Sequence, residues 1–204
     1  MNQSAYTDGG VSDTGRDVME KEDVMRAFYR LLHPRPAVLV TCVDEEGRSN
    51  AIAISWITPV AREPPTVAIC VGKKRYSHGL ISKTGEFVVN VPTAELVEAV
   101  HYCGTVSGRD VVDKIAKAGL TAKPAKVVKP PIIEECAAHL ECRVRQVIDC
   151  GSHDMFIGEV VAAYARPDAF KNGFWLLEVF KPLLHAGGNV YSKPEKPFKV
   201  EKKP

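Results

Sequence analysis

The chain lacks any apolar run approaching the ~20 residues that cross a bilayer, and its N-terminus is polar where a secretion signal would carry an apolar core. A soluble, cytoplasmic protein is the expectation. Charge of one sign is also scarce. The 27 Lys and Arg against 25 Asp and Glu leave a net charge of +2, mixed along the chain. No field exists to draw nucleic acid or a membrane surface, so the expected partner is small. The six cysteines, at 42, 70, 103, 136, 142 and 150, contain no CxxC pair and no Cys/His cluster at zinc-finger spacing. No metal is assigned, and the thiols read as small buried hydrophobes. Cys103, in the glycine-bearing stretch HYCGTVSGRD, is the candidate for exposure. No GxGxxG follows a strand and no Walker loop occurs, so the Rossmann and P-loop cradles for nucleotides are unsupported. No internal repeat is evident.

What is present is enough for one substantial core: 204 residues, 45% of them hydrophobic. Residues 1–16, rich in Gly, Ser, Asp and Thr, read as a flexible arm; 17–191 as the domain; and 192–204 as a Pro/Lys-rich tail. The stretch DVMEKEDVMRAFYRLLH predicts a short amphipathic helix. PAVLVTCV and NAIAISWITPV read as strands joined by DEEGRS, with Gly47 supplying the freedom a hairpin turn needs. PPTVAICVG and GEFVVNVP are further strands, separated by a short helix in KKRYSHGLISKTG. TAELVEAVHYCG is a second helix with Thr93 as N-cap. A loop with a helical turn follows, then a hairpin around CGSH. FWLLEVFKPLLHAGG reads as a last strand running into a glycine turn. Strands joined by tight turns favour an antiparallel β-barrel with short helices over βαβ units.

Two stretches carry chemistry. In GKKRYSHGLI a strand ends at Gly72 and is followed by Lys73, Lys74, Arg75 and Ser77 at a helix start, a set suited to a phosphomonoester. A basic turn is more often a solvated surface. In NAIAISWITPV an apolar run is interrupted by Asn50, Ser55 and Trp56. With the two stretches on neighbouring strands, their polar groups would face one crevice.

At this point the sequence resembles the flavin reductase-like, FMN-binding split barrels, which include flavoredoxins and the small reductase components of two-component monooxygenases. The likeness is carried by GRSNAIAISWITPVAREPPTVAICVGKKRYSHGLISKTGEFVVNVP, CGTVSGRDVVDKIAKAGL and HDMFIGEVV, and it covers about residues 30 to 190. It implies a mainly β, Greek-key-like antiparallel split barrel binding FMN, with FAD as the alternative. The segment from Asn50 to Thr58, with Ala51 and Ile54, would run beside the flavin ring. Asn50 and Ser55 would be polar contacts there, and Trp56 and Ile57 a wall. Trp56 equally suits a core aromatic. The phosphate-binding turn falls on Arg75, Tyr76, Ser77 and His78. Ser107, Arg109 and Lys114 of SGRDVVDK become flavin or phosphate contacts, although Arg109, Asp110 and Asp113 would equally form a surface ion-pair set. His153 comes to lie near the open flavin face as the catalytic candidate, against its reading as a turn residue. His185, Gly187, Gly188 and Tyr191 either close a corner of the site or end the barrel. The implied activity is electron transfer from NAD(P)H through FMN to a flavin, ferric or protein acceptor, by a homodimer with a redox-protein or monooxygenase partner. An electron carrier without nicotinamide, and a non-catalytic flavin-binding module, are the alternatives.

Overall fold

The computed structural model describes residues 21–197. The expected arm and the end of the tail lie outside that range. The expected amphipathic helix lies partly outside the described residues; its described part holds a 3-10 helix over Met25–Leu32, kinked at Ala27 and with no buried residue. Seven strands then build the main sheet: β1 (Val38–Val43), β2 (Ser49–Ile54), β3 (Ile57–Arg62), β4 (Pro65–Gly72), β5 (Glu86–Val91), β6 (Ala138–Asp149) and β7 (His153–Ala165). Their order is β2-β1-β5-β6-β7-β4-β3, with antiparallel pairing throughout.

That order closes the sheet. The edge strands β2 and β3 are consecutive in the chain and joined only by Ser55 and Trp56. A flat sheet of seven strands would hold them ~29 Å apart, whereas two residues reach ~10 Å. The sheet must therefore curl until its edges meet, giving an antiparallel barrel. The edges are not hydrogen-bonded to each other in the sheet, so a seam remains; near it Cys70 N donates to Trp56 O at 2.9 Å. NAIAISWITPV is accordingly two strands on opposite edges rather than one, and β2 is not the hydrogen-bonded neighbour of β4. The expected hairpin forms between β1 and β2, with Val38 opposite Ile54, and Gly47 turns it at φ 83°. The hairpin around CGSH pairs β6 with β7.

Period-two alternation sorts the side chains. Along β2, Ile52 and Ile54 join Val40, Ile69, Phe87 and Phe156 inside the barrel. Ala51 and Ala53 face outward under α2 (Val97–Thr105) and α3 (Lys114–Lys117), packing with Val100, Cys103 and Ile115. Cys103 is thus buried rather than exposed; the exposed thiol is Cys150. Thr93 stands at the N-cap position of a short 3-10 turn, but its hydroxyl makes no capping bond. The apolar stretch 174–188 is not one strand. Phe174–Trp175 pairs back on Phe170–Lys171, Trp175 and Phe180 stack and form a separate small cluster, and β8 (Leu184–Gly187) pairs with Arg35–Pro36 and with β9 (Val190–Ser192).

On the outer face of β5 and β6, a loop is tied down by buried polar groups. Glu141 accepts the amides of Lys126 at 2.8 Å, Val127 at 2.6 Å and Val128 at 3.1 Å, and the Tyr164 hydroxyl at 2.9 Å. Burial alone would raise its pKa, but these donors hold it below the ordinary carboxylate value. Asn90 Oδ1 accepts from Ile133 N at 2.8 Å and from His139 Nδ1 at 2.9 Å, while its amide nitrogen donates to Leu39 O at 3.2 Å. His139 is therefore a neutral Nδ1–H tautomer, and burial pushes its pKa down to about 4. Among the described residues no helix is long and apolar enough to cross a membrane.

Candidate functional site

Three neighbouring chambers with shared lining residues lie along β2 and the Ser55–Trp56 link. The first, about 200 Å³, is lined by Asn50 of β2, by Lys74 and Arg75, by the start of α1 (Tyr76–Thr84) and by the loop after α2. The second, about 260 Å³, lies between Ala53–Ser55, the end of α2 and the β8–β9 corner. The third, about 140 Å³, opens at the rim between Ser55–Trp56, Cys70–Gly72 and His153. Arg75 lines all three. Together they reach the ~300–1,000 Å³ of small-molecule sites.

The first chamber is basic. Lys74, Arg75, Arg109 and Lys114 line it, and no carboxylate lines any of the three chambers. The N-terminus of α1 opens here, where first-turn amides lack intrahelical partners and add positive potential. Arg75, the N-cap residue, makes no side-chain capping bond, leaving its guanidinium to the crevice. Arg109 donates to Lys74 O at 3.1 Å and lies over the Tyr76 ring, 5.4 Å from its centroid. No ion pair forms between Arg109 and Asp110 or Asp113; Asp113 instead caps α3 through Ala116 N at 3.3 Å. Lys114 is buried, with Nζ donating to Ala51 O and Cys103 O at 2.8 Å each. Burial pulls its pKa below the ordinary lysine value.

Asn50 is the polar pivot. Its amide nitrogen donates to Ser77 Oγ at 2.7 Å, but its Oδ1 is buried without a partner. A buried acceptor left unpaired costs ~1–3 kcal/mol, so it is suited to a ligand donor such as a hydroxyl. Gly108 closes on it: a Cβ there would clash with Asn50 Oδ1 and stand 2.8 Å from the Tyr76 ring. Only glycine permits that approach.

At the rim, His153 stacks on Trp56 with centroids 4.9 Å apart at 21°, and Ser152 Oγ lies 2.9 Å from His153 Nδ1. Tyr29 of the 3-10 helix touches Trp56 at 6.0 Å, and the Arg35 guanidinium lies 5.4 Å over the same indole. Trp56 is thus a rim residue rather than a core aromatic.

Of the residues singled out in the sequence, Asn50, Ile54, Ser55, Trp56, Arg75, Tyr76, Ser77, Ser107, Arg109, Lys114 and His153 line these chambers. Four do not. Ala51 is buried beneath α2, and its carbonyl serves Lys114. Ile57 packs on the barrel core, and Thr58 is exposed on β3. His78 meets Asp154 Oδ2 at 2.7 Å and the edge of Phe156, away from the crevice. One residue beyond Ser77 on a helix is a rotation of ~100°. Residues unmarked in the sequence also line the crevice: Ala53, His101 and Gly108. His185, Gly188 and Tyr191 close the second chamber, where His101 Nδ1 lies 3.2 Å from the Tyr191 hydroxyl.

Comparison with known proteins places this geometry. An uncharacterised protein of Aeropyrum pernix is 33% identical over 163 residues, 80% of this chain; the chain spans 61% of that relative's length. The structure of flavoredoxin from Desulfovibrio vulgaris (Miyazaki F) superposes with a TM-score of 0.79 at 26% identity, covering 89% of this chain and 97% of that one. Nitrilotriacetate monooxygenase component B from Bacillus cereus gives a TM-score of 0.78 at 25% identity, covering 93% of this chain and all of that one. The family model for the flavin reductase like domain matches residues 28–193, and the chain belongs to that FMN-binding, split-barrel family.

Proposed function

We propose that the chain is an FMN-dependent oxidoreductase that takes electrons from NAD(P)H and passes them to a flavin, ferric or protein acceptor. The observation that carries this reading is the crevice itself. A carboxylate-free chamber ringed by Lys74, Arg75, Arg109, Lys114 and a helix N-terminus continues into a ring-sized cleft that ends at an aromatic rim. The residues fit the group. Arg75, Ser77, Ser107, Arg109 and the first turn of α1 would hold the phosphate, and Asn50 Oδ1 would receive a side-chain hydroxyl of the flavin.

Bound FMN supplies the redox chemistry, accepting a hydride and releasing electrons singly or in pairs. The chain's own groups do the rest. The basic chamber lowers the cost of negative charge on the bound cofactor. Ile54 and Ser55 wall one side of the cleft, and Trp56 shields it from water. His153, flat against Trp56 at the rim, is positioned to orient a nicotinamide or to hold a proton. His153 must leave or slide along Trp56 for a planar donor to stack there.

That stack favours a second reading, a flavoredoxin-type carrier without direct NAD(P)H use, because the rim is filled by the chain's own rings. The purified protein should show the absorption of an oxidised flavin and bleach on anaerobic addition of NADH or NADPH. Bleaching by a reduced redox protein alone selects the carrier; tight flavin binding with no reduction by any donor selects a non-catalytic module. Absence of flavin after reconstitution sinks all three. A homodimer would cover the exposed Met25, Phe28, Leu31 and Leu32, and equilibrium sedimentation tests it. Six free thiols suit a reducing compartment, the cytoplasm.

A further inference from the structure

We propose that the second chamber, between β2, the end of α2 and the β8–β9 corner, binds a small organic acid, one carboxylate on a compact apolar body. The inference rests on the flavin reading for the ligand's role, that of a substrate held beside the cofactor, but not for its binding. The chamber encloses about 260 Å³, room for one ring and its acid group and too little for a dinucleotide. One side is apolar, formed by Ala37, Ala53, Ile54 and Val100. The other side carries donors: Arg75, His101, His185 and Tyr191, with no carboxylate among the lining residues.

A helix C-terminus ordinarily presents carbonyls and repels an anion, but the last carbonyls of α2 already have donors. The Thr105 hydroxyl donates to His101 O at 2.8 Å, and Lys114 Nζ to Cys103 O at 2.8 Å, which sets a buried cation against the helix end. The donors on the chamber wall are not similarly satisfied. Arg75 makes no side-chain bond to the helix it precedes. His101 Nδ1 lies 3.2 Å from the Tyr191 hydroxyl; with the proton on Nδ1 the ring donates to that hydroxyl, which then donates onward to an anion. His185 donates from Nε2 to Gly188 O at 3.1 Å, and its Nδ1 is buried without a partner. Behind it the His33 ring packs edge-on with centroids 5.1 Å apart, and Arg35 donates to His33 Nε2 at 2.6 Å. Arg35 Nε is also buried without a partner, and no carboxylate balances this guanidinium among the described residues. Burial, Arg35 and His185 together pull the His33 pKa below its ordinary value. Positive charge thus stands on the chamber wall and behind it with nothing in the chain to offset it. A neutral ring amide such as nicotinamide leaves that charge unpaired; a carboxylate pairs it.

The test titrates the FMN-loaded full-length chain with benzoate and with its neutral counterpart benzamide, followed by calorimetry and by the ring resonances of His101 and His185. Benzoate is expected to bind with a dissociation constant of about 1 mM or tighter, about tenfold tighter than benzamide, and to shift both rings. Tyr191→Phe should weaken benzoate about three- to fivefold and leave FMN affinity within about twofold. Benzamide binding as tight as benzoate overturns the proposal and gives the chamber to a neutral ring such as nicotinamide. Benzoate that displaces FMN, or a Y191F loss as large for FMN as for benzoate, assigns the chamber to the cofactor and overturns it too. Benzoate that fails to bind, or binds without shifting either ring, has the same consequence. Each of these results leaves the flavin reading standing. A chain that never retains FMN ends that reading and the substrate role with it, and benzoate titration of the same flavin-free chain then still decides whether the acid site exists.

Discussion

Two clusters of buried polar groups sit on the same barrel and are built on opposite principles. Under the 126–133 loop, Glu141 has four donors, and Asn90 has both ends occupied. At the seam, Asn50 has one end occupied and the other bare, and the nearby cations face no carboxylate. The first cluster is complete within the chain, so its role is to hold a loop against the sheet. The second is incomplete within the chain, and what completes it must come from outside. Buried polar groups are costly unless paired. The pairing census therefore separates structure from function where burial alone does not.

If that contrast is right, damage to the closed cluster should show in stability and damage to the open one in ligand affinity. The largest effect belongs to Glu141→Leu. It strips the acceptor from three backbone amides, each left unpaired at ~1–3 kcal/mol. Urea denaturation should report a loss of about 3–5 kcal/mol, while FMN affinity of the folded fraction is unchanged. A variant of wild-type stability would mean that water serves those amides equally well.

The closed cluster should also be the acid-sensitive one. His139 is neutral in the fold with its pKa pushed down to about 4, against 6.5 when exposed. The unfolded chain therefore binds the extra proton first as pH falls, and stability declines between pH 6.5 and 4. A shift of that size corresponds to about 3 kcal/mol. Glu141, with its pKa held down by its donors, adds stability that is present above its unfolded value and lost as pH falls through the folded one. His139→Gln should flatten the profile above pH 5 without touching flavin binding, as measured by thermal melts across the range. A slope that persists in H139Q would put the titrating group elsewhere.

The open cluster is broken most severely at its charges. Arg75 lines every chamber, and Ser77 carries the hydroxyl that holds Asn50. Replacing both with Ala should raise the FMN dissociation constant about a hundredfold, equivalent to ~2–3 kcal/mol, and fluorescence titration would show it. The cost in stability should stay near ~1 kcal/mol, because Ser77 makes a single side-chain hydrogen bond. Unchanged affinity would move the phosphate elsewhere on the molecule.

How far this division was legible in the sequence depends on the range of the contacts involved. Strand alternation and the turns at Gly47 and CGSH are local signals, and the hairpins they mark are present. The split of the 49–62 run between two sheet edges is not local. Its apolar pattern is continuous across Ser55 and Trp56, and only the return of β5 between β1 and β6 decides the closure. The basic turn at 73–77 showed itself through charge, so Arg75 and Ser77 were visible. His78 looked equivalent because sequence adjacency hides the helical rotation that turns it toward Asp154. Gly108 was hidden for the opposite reason: its significance is a contact with Asn50, 58 positions away, that nothing in SGRD announces.

Asn50→Ala is the smallest test and the sharpest, because the two principles give opposite signs at one residue. If Asn50 were structural like Asn90, losing its bond to Ser77 would destabilise the fold by ~1 kcal/mol and leave ligand binding alone. Seen as half of an open pair, the substitution also removes an orphaned buried acceptor, and that gain offsets the lost bond. Stability should then hold within about 0.5 kcal/mol. FMN affinity should fall about five- to tenfold, the worth of one hydrogen bond to a bound hydroxyl. Calorimetric titration beside a urea curve on the same sample reads both quantities. A destabilised N50A with full affinity would make Asn50 a second Asn90 and leave the seam without its pivot.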